Sequence, residues 1–317
     1  MHAASIILLC WAVIGAAFFS PAALAFVAPV LLGLLVALVG LPHGAADHRF
    51  ARRYLEEPLG SAWLPLFLAG YVGVAAAVFG GWMLAPAITI VLFFLASAWH
   101  FGQEEPHFAV GPRGLRPLFW IARGGLIIWV PLVCRPEEVT AILLASTPPG
   151  ADAQVRLAVE AATAISCFML PLAAAALGLQ SLAAFASAGI KRRVLRTDAL
   201  MTVSLVALMA VVSPVVSFLV YFCGWHSARG LRRLRRELGE SWPQLAASLA
   251  PMTVAAVALI VGTAGFVQLG TTTRELLIGT TFVGLSAIAT PHLVLHSLAP
   301  LLTRPSQTKP LGVAAAG

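Results

Sequence analysis

Histidine is the residue of this chain with the clearest capacity for chemistry, because six of its eight copies stand in or beside long apolar segments. Ionisable side chains are costly inside a membrane and are usually functional there. Neutral imidazole binds iron, copper, zinc and nickel. The pattern therefore indicates a metal site. Its candidate ligands are His43, His100, His226, His292 and His296.

Asp47 is a candidate partner for such a site, because a metal-bound imidazole usually donates its second ring N–H to an acceptor. An ordinary carboxylate at a helix end is the alternative interpretation of Asp47. We expect His48 to face a loop rather than the metal. The remaining polar side chains near these segments are interpreted as solvated or as loop charges: His2, His107, Glu104 and Glu105.

The elements that must position these histidines are membrane helices. The chain is 60% hydrophobic and 10% charged, whereas soluble domains carry about 25% charged residues. Inside a bilayer only helices and closed barrels satisfy every backbone polar group, and the apolar runs here are continuous rather than alternating. We predict an all-α, polytopic integral membrane bundle, with residues 1–317 forming one transmembrane domain. The net charge of +7 does not indicate nucleic-acid binding, because the basic residues form short blocks between apolar runs.

Charge also predicts the topology. Basic blocks prefer the cytoplasmic side, and the blocks at 191–196 and 229–236 flank one long apolar run at 197–225. A helix break at Ser213-Pro214 turns that run into a hairpin, since proline disfavours helix in the residue before it. The result is about ten membrane helices with both termini cytoplasmic.

This topology brings the histidines to one depth near the cytoplasmic face. His43, His100 and His226 each end a helix on that side, and His292 lies in the second half of the last helix. His296 follows one turn later on the same helix face, because residues four apart are neighbours on a helix. The 229–236 segment is interpreted as an interfacial helix on anionic lipid.

Four segments of the chain together resemble the Brp/Blh family of membrane β-carotene 15,15′-dioxygenases. They are Gly40-Leu41-Pro42-His43-Gly44 with Asp47, Trp99-His100-Phe101-Gly102, Tyr221-Phe222-Cys223 followed by His226-Ser227, and Thr290-Pro291-His292. The resemblance implies Fe2+ as cofactor, a carotenoid and O2 as substrates, and cleavage of β-carotene at its central double bond into two retinals. It also implies that His43, His100 and His226 are iron ligands.

The chain departs from the family pattern at one position. Four residues after His226 the family typically has a second histidine, and here that residue is Gly230. His292 is the preferred fourth ligand, with His296 as the alternative. A non-catalytic membrane protein that binds or transports metal ions or protons is the alternative function, although the spans are nearly free of the acidic residues that transport pathways carry. A haem protein with axial histidines is a third interpretation.

The substrate implied by the resemblance is a long apolar rod, and aromatic side chains near the histidines are candidates to surround it. They are Phe93, Phe94, Trp99, Phe101, Phe119, Trp120, Tyr221, Phe222 and Trp225. Ordinary helix packing is the alternative interpretation of these rings. We expect a multi-pass protein of the cell's inner membrane whose partners are the lipid bilayer and a retinal-binding membrane protein that receives the product.

Overall fold

The computed structural model describes residues 3–104, 113–266 and 272–302, and these residues form helices joined by short connections. The α-helices are α1 Ala3–Phe19, α2 Pro21–Leu35, α3 Leu41–Ala45, α4 Asp47–Leu59, α5 Trp63–Leu84, α6 Pro86–Gln103, α7 Arg116–Gly124, α8 Leu126–Cys134, α9 Pro136–Leu144, α10 Asp152–Phe185, α11 Gly189–Val211, α12 Pro214–Phe218, α13 Ala228–Leu238, α14 Trp242–Phe266 and α15 Thr273–Leu302. Two π-helical segments, Val36–Gly40 and Leu219–Ser227, continue α2 and α12. The predicted all-α architecture is confirmed.

The chain is a multi-pass membrane protein, but the predicted count of ten helices is too high. Within the described residues, six helices are long and apolar enough to cross a membrane, or seven if α7 and α8, bent by 55°, form one span. The prediction had counted α1 and the segment 214–227, both short of the roughly 20 residues that a crossing needs. It had also counted two crossings within Pro21–Leu84, which is one continuous helical stretch of 64 residues with the polar α4 in its middle.

The predicted helix break at Ser213-Pro214 is confirmed. Helix α11 ends at Val211 and α12 begins at Pro214. Between them Val212 and Ser213 are extended, with ψ of 154° and 145°. Proline lacks a backbone N–H and excludes helical geometry from the preceding residue, so the helix cannot continue through this position.

Glycines let α6 and α7 cross at very short distance just after His100. A Cβ on Gly124 would lie 2.7 Å from the Cα of Gly102, and a Cβ on Gly102 would overlap the Trp120 carbonyl. Small residues at membrane helix interfaces allow this close backbone approach. The crossing therefore fixes the end of α6 that carries His100.

The two π-helical segments pack against each other beside the histidines. A Cβ on Gly40, the last residue of the first segment, would lie 2.7 Å from Cε1 of Phe222 in the second. His43 follows the first segment by one turn, and His226 lies inside the second. Such π-helical insertions are rare and occur frequently at functional sites, because they change the direction of the following side chains.

A buried polar cluster joins α7, α10 and α11. The Arg123 guanidinium donates to Thr202 Oγ1 at 2.9 Å and to the Gln180 amide oxygen, and it lies 3.5 Å from an Asp198 oxygen. Gln180 in turn donates to Asp198 at 2.5 Å. Each of these groups would be costly to bury alone, so their mutual hydrogen bonds hold the three helices in one arrangement.

The glycine crossing predicts that Gly124→Ala destabilises the protein by roughly 1–3 kcal/mol, because the added methyl overlaps the α6 backbone. The midpoint of thermal unfolding of the purified protein in detergent measures this loss. Gly178→Ala on α10 is the matched control, since a Cβ there meets nothing within 4 Å. Equal midpoints for the two variants would contradict the close crossing.

Candidate metal centre

Four of the predicted histidines form a ring at one end of the bundle. The ring centroids of His43 lie 5.1 Å from His226 and 5.2 Å from His292. Those of His100 lie 5.4 Å from His226 and 5.0 Å from His292. The four side chains come from α3, α6, the second π-helical segment and α15, so distant parts of the chain converge here. The structure thus brings His43, His100, His226 and His292 close together, and their binding of a metal stays a prediction.

The free nitrogens of this ring are of the chemical type that binds a metal ion. The Nε2 atoms of His43, His100 and His292 are buried, and none makes a hydrogen bond within the described part of the chain. An unpaired buried polar atom costs about 1–3 kcal/mol, so a cluster of three calls for a ligand. Unprotonated imidazole nitrogens are suitable ligands for a transition metal.

Asp47 orients one of these rings. Its side chain is buried, and its oxygens lie 2.8 and 3.0 Å from Nδ1 of His292. Because a carboxylate accepts, the Nδ1–H of His292 donates to Asp47 and its Nε2 is left as the free nitrogen. This arrangement, in which a carboxylate holds the far side of a metal-binding imidazole, is the one predicted for Asp47.

His296 lies beside the ring of four: the centroid of its imidazole is 4.4 Å from that of His292 and 6.0 Å from that of His100. The Nε2 of His296 is 3.3 Å from Asp47 Oδ1, and its ring stacks on Phe50 with centroids 4.6 Å apart. Asp47, His292 and His296 are the one described group of acidic, histidine or cysteine side chains with all ligand atoms within 4.8 Å of one another. The four-histidine ring is wider than that.

We favour the four-histidine ring as the metal site for two reasons. The donor atoms of the Asp47 group already lie at hydrogen-bond distances from one another, whereas three ring nitrogens of the larger set have no partner among the described residues. All four histidines of that set also line one cavity, and neither Asp47 nor His296 does.

Gly230, where the family pattern has a histidine, lies directly against the ring of His43. A Cβ at this position would overlap the Cε1 and Nδ1 atoms of His43. The absence of a side chain at residue 230 therefore leaves room for the His43 ring beside α13. A histidine at residue 230 would require His43 to move. The observed position of His43 therefore depends on the glycine at residue 230.

Tyr71 belongs to the site and was missed in the sequence analysis. Its hydroxyl lies 3.2 Å from an oxygen of Asp47 and 3.0 Å from the carbonyl of Ile288. It thereby links α5 to the carboxylate that orients His292. The sequence did offer a signal for Tyr71, because it stands in an apolar segment and a buried tyrosine hydroxyl usually finds a hydrogen-bond partner.

The other polar expectations near the site had mixed outcomes. The interpretation of Glu104 as a loop charge is wrong: its side chain is only 14% exposed and lies 3.6 Å from Arg233. His48 faces away from the cavity, with Nδ1 2.7 Å from the Ala45 carbonyl. His2, Glu105 and His107 lie outside the described residues.

The histidines lie at one end of an apolar cavity of about 1260 Å³, a volume that includes its opening to the outside. On α15 its wall runs from Ile278 through Phe282, Leu285 and Ala289 to His292, at helical spacing. The fourteen steps from Ile278 to His292, at a rise of 1.5 Å each, make this wall about 21 Å long. His43, His100 and His226 likewise stand near the end of the cavity-lining stretch of their own segments.

The predicted aromatic lining is correct in part. Phe93, Phe94, Phe101 and Phe222 line the cavity. Tyr221 and Trp225 line a smaller neighbouring cavity that also reaches Arg123. Rings that line neither cavity are Trp99, Phe119 and Trp120, and rings that the sequence analysis missed are Phe218 and Phe282.

Comparison with known proteins identifies the family. The family model described as Beta-carotene 15,15′-dioxygenase matches residues 34–299. A probable beta-carotene 15,15′-dioxygenase Blh of Halobacterium salinarum is 31% identical over 264 residues, which cover 73% of this chain and 72% of the relative. The beta-carotene 15,15′-dioxygenase of uncultured marine bacterium 66A03 is 27% identical over 273 residues, covering 82% and 90%. No solved structure matches the chain.

The matched residues include the four histidines of the ring, the carboxylate of Asp47 and the whole wall of α15 that lines the cavity. The site and the similarity therefore lie in the same part of the sequence. This chain belongs to the beta-carotene 15,15′-dioxygenase family.

Proposed function

We propose that this chain uses O2 to cleave β-carotene at its central 15,15′ double bond, and that His43, His100, His226 and His292 hold the iron ion required. One observation carries the proposal: buried imidazole nitrogens without partners among the described residues stand at one end of an apolar cavity. Neutral imidazoles suit Fe2+ and leave its charge uncompensated. Asp47, which hydrogen-bonds to His292, would hold that ring in its binding tautomer.

The reaction breaks one carbon–carbon double bond, and each of its two carbons receives one oxygen atom of O2, so two identical aldehydes form. Bound iron supplies the activation of O2. The chain would position the substrate and keep water from it. Aliphatic and aromatic side chains wall the cavity and exclude water from the reacting bond. Ser97 is the one hydroxyl side chain among the lining residues.

The position of the histidines at the end of the cavity also supports central cleavage. A symmetric rod with one half in the cavity and the other half extending beyond the histidines would have its midpoint beside the histidine ring. The helix face of α15 offers about 21 Å for that half. The depth of the cavity would therefore determine which double bond reaches the metal.

The location in the cell is part of the same proposal. Basic residues prefer the cytoplasmic side of a membrane, and α13, with five arginines, follows His226 directly. We place the site near the cytoplasmic face of the inner membrane. There an apolar aldehyde product can pass to a retinal-binding membrane protein without entering water.

Expression in a bacterial host that makes β-carotene tests the activity. Loss of yellow colour with one retinal formed for each carotenoid half supports central cleavage. Longer and shorter aldehydes in equal amounts would instead show cleavage at another bond. Unchanged colour with full-length, folded protein in the membrane would contradict the proposed activity.

Iron content tests the ligand set separately. We expect His43→Ala and His100→Ala to lower the iron bound per purified chain from about one to near zero, because each removes a ligand. His48→Ala is the matched control, since its ring faces the Ala45 carbonyl. Stoichiometric iron in the double variant His43→Ala/His100→Ala would defeat the metal assignment.

Asp47→Asn tests the orienting role of the carboxylate. The variant keeps the size of the side chain but removes its charge, so we expect the affinity for Fe2+ to fall about 10- to 100-fold. Competition with a coloured chelator measures this affinity. His296→Ala should cost much less. The reverse order of the two losses would make His296 a ligand and contradict the preferred set.

Ile278→Trp tests the cavity. A bulky ring at this buried lining position should block the far end, so that cleavage of β-carotene falls at least about tenfold while bound iron is unchanged. Leu277→Trp is the matched control, because Leu277 lies on the exposed face of the same helix. Similar activity in both variants would show that the substrate does not occupy this space.

A further inference from the structure

A second large cavity, which we call the arginine cleft, lies beside the histidine site and shares no lining residue with the apolar cavity. It encloses about 1330 Å³, including its opening to the outside. Its basic lining residues are Arg193 of α11 and Arg229, Arg233 and Arg236 of α13. Its apolar wall contains Ala3, Ala4, Val194, Met201 and Trp225. The cleft therefore combines a cluster of guanidinium groups with an apolar side.

The charge of the arginine cleft is unbalanced. Two carboxylates line it, but Asp198 already accepts hydrogen bonds from Arg123 and Gln180. Arg193 and Arg236 form no ion pair with any described residue. Arg233 lies 3.6 Å from Glu104 and 3.8 Å from Glu237, so the positive charge without a described acidic partner is that of Arg193 and Arg236.

We propose that the arginine cleft binds the phosphate of an anionic lipid headgroup. Guanidinium groups match phosphate oxygens with paired N–H donors, and Arg is preferred wherever phosphate is recognised. Trp225, whose ring lies 5.0 Å from the Arg229 guanidinium carbon, and the small alanines of α1 would flank the acyl chains. Trp is enriched at the level of lipid headgroups, because its ring is amphipathic.

The helical spacing of α13 separates the cleft arginines from the others. Arg229, Arg233 and Arg236 lie on one face at intervals of four and three residues. Arg232 and Arg235 project elsewhere, and Arg235 stacks on Trp242 at 5.0 Å. If α13 only lay on the lipid surface, all five arginines would contribute alike to lipid binding. A defined binding site instead depends on the arginines of one helix face.

The cleft meets the histidine site at Gly230. Gly230 lines the arginine cleft, and the place of its missing side chain is taken by the His43 ring. A lipid bound in the cleft would therefore order the wall against which His43 rests. This consequence for the metal rests on the proposed function, whereas binding of the lipid does not.

Lipid titration of the full-length protein in detergent, followed by native mass spectrometry, tests the site. The double variant Arg193→Gln/Arg236→Gln should bind phosphatidylglycerol about tenfold more weakly than the unmodified chain. Arg192→Gln/Arg232→Gln, from the same two helices and with the same change of charge, should bind within about twofold of it. Phosphatidylcholine, which is zwitterionic, should bind no variant preferentially.

Further arms identify the ligand and separate this proposal from the enzyme's activity. Inorganic phosphate that displaces phosphatidylglycerol would place a free phosphate in the same cleft, and no displacement would confirm a headgroup with its chains. Equal weakening in both double variants, or no preference for phosphatidylglycerol in the unmodified chain, would overturn the site. Iron content is measured on the same samples, so a failure of the metal assignment is seen independently of lipid binding.

Discussion

The structure depends on keeping imidazole nitrogens unpaired inside an apolar bundle. Three Nε2 atoms stand buried without a partner among the described residues, and burial of such atoms is unfavourable without a ligand. The polar contacts that stabilise the site are made by neighbouring atoms and not by these Nε2 atoms themselves. Asp47 engages the opposite nitrogen of His292, and Tyr71 reaches Asp47 from another helix. The His292 imidazole is thus oriented through its Nδ1 while its Nε2 stays available.

Backbone irregularity serves the same end. Two π-helical segments lead into or contain His43 and His226, the Gly102–Gly124 contact fixes the end of α6, and Gly230 admits the His43 ring. A regular bundle of apolar helices would place its side chains at repeated angles. With these irregularities in the backbone, four histidine side chains from distant segments meet at one end of a largely apolar cavity.

Most of the candidate site could be predicted from the sequence, because the histidines occur at the ends of apolar segments. The rotation of each helix about its axis could not be predicted. These helices are apolar on all faces, so no polar stripe marks the inward side. That is why Phe218 and Phe282 were missed and why His296 stayed an alternative to His292 as the fourth ligand. Glu104 was misjudged for another reason: its partner Arg233 lies far away in the sequence.

X-ray absorption at the iron edge of the purified, iron-loaded protein tests the central claim most directly, because it reports the atoms bound to the metal. Four imidazole ligands per iron are expected, with iron–nitrogen distances near 2.1 Å, about the length of other metal–imidazole bonds, and three in His292→Ala. A spectrum of oxygen ligands with little imidazole scattering would contradict the account, as would a His292→Ala spectrum identical to that of the unmodified protein.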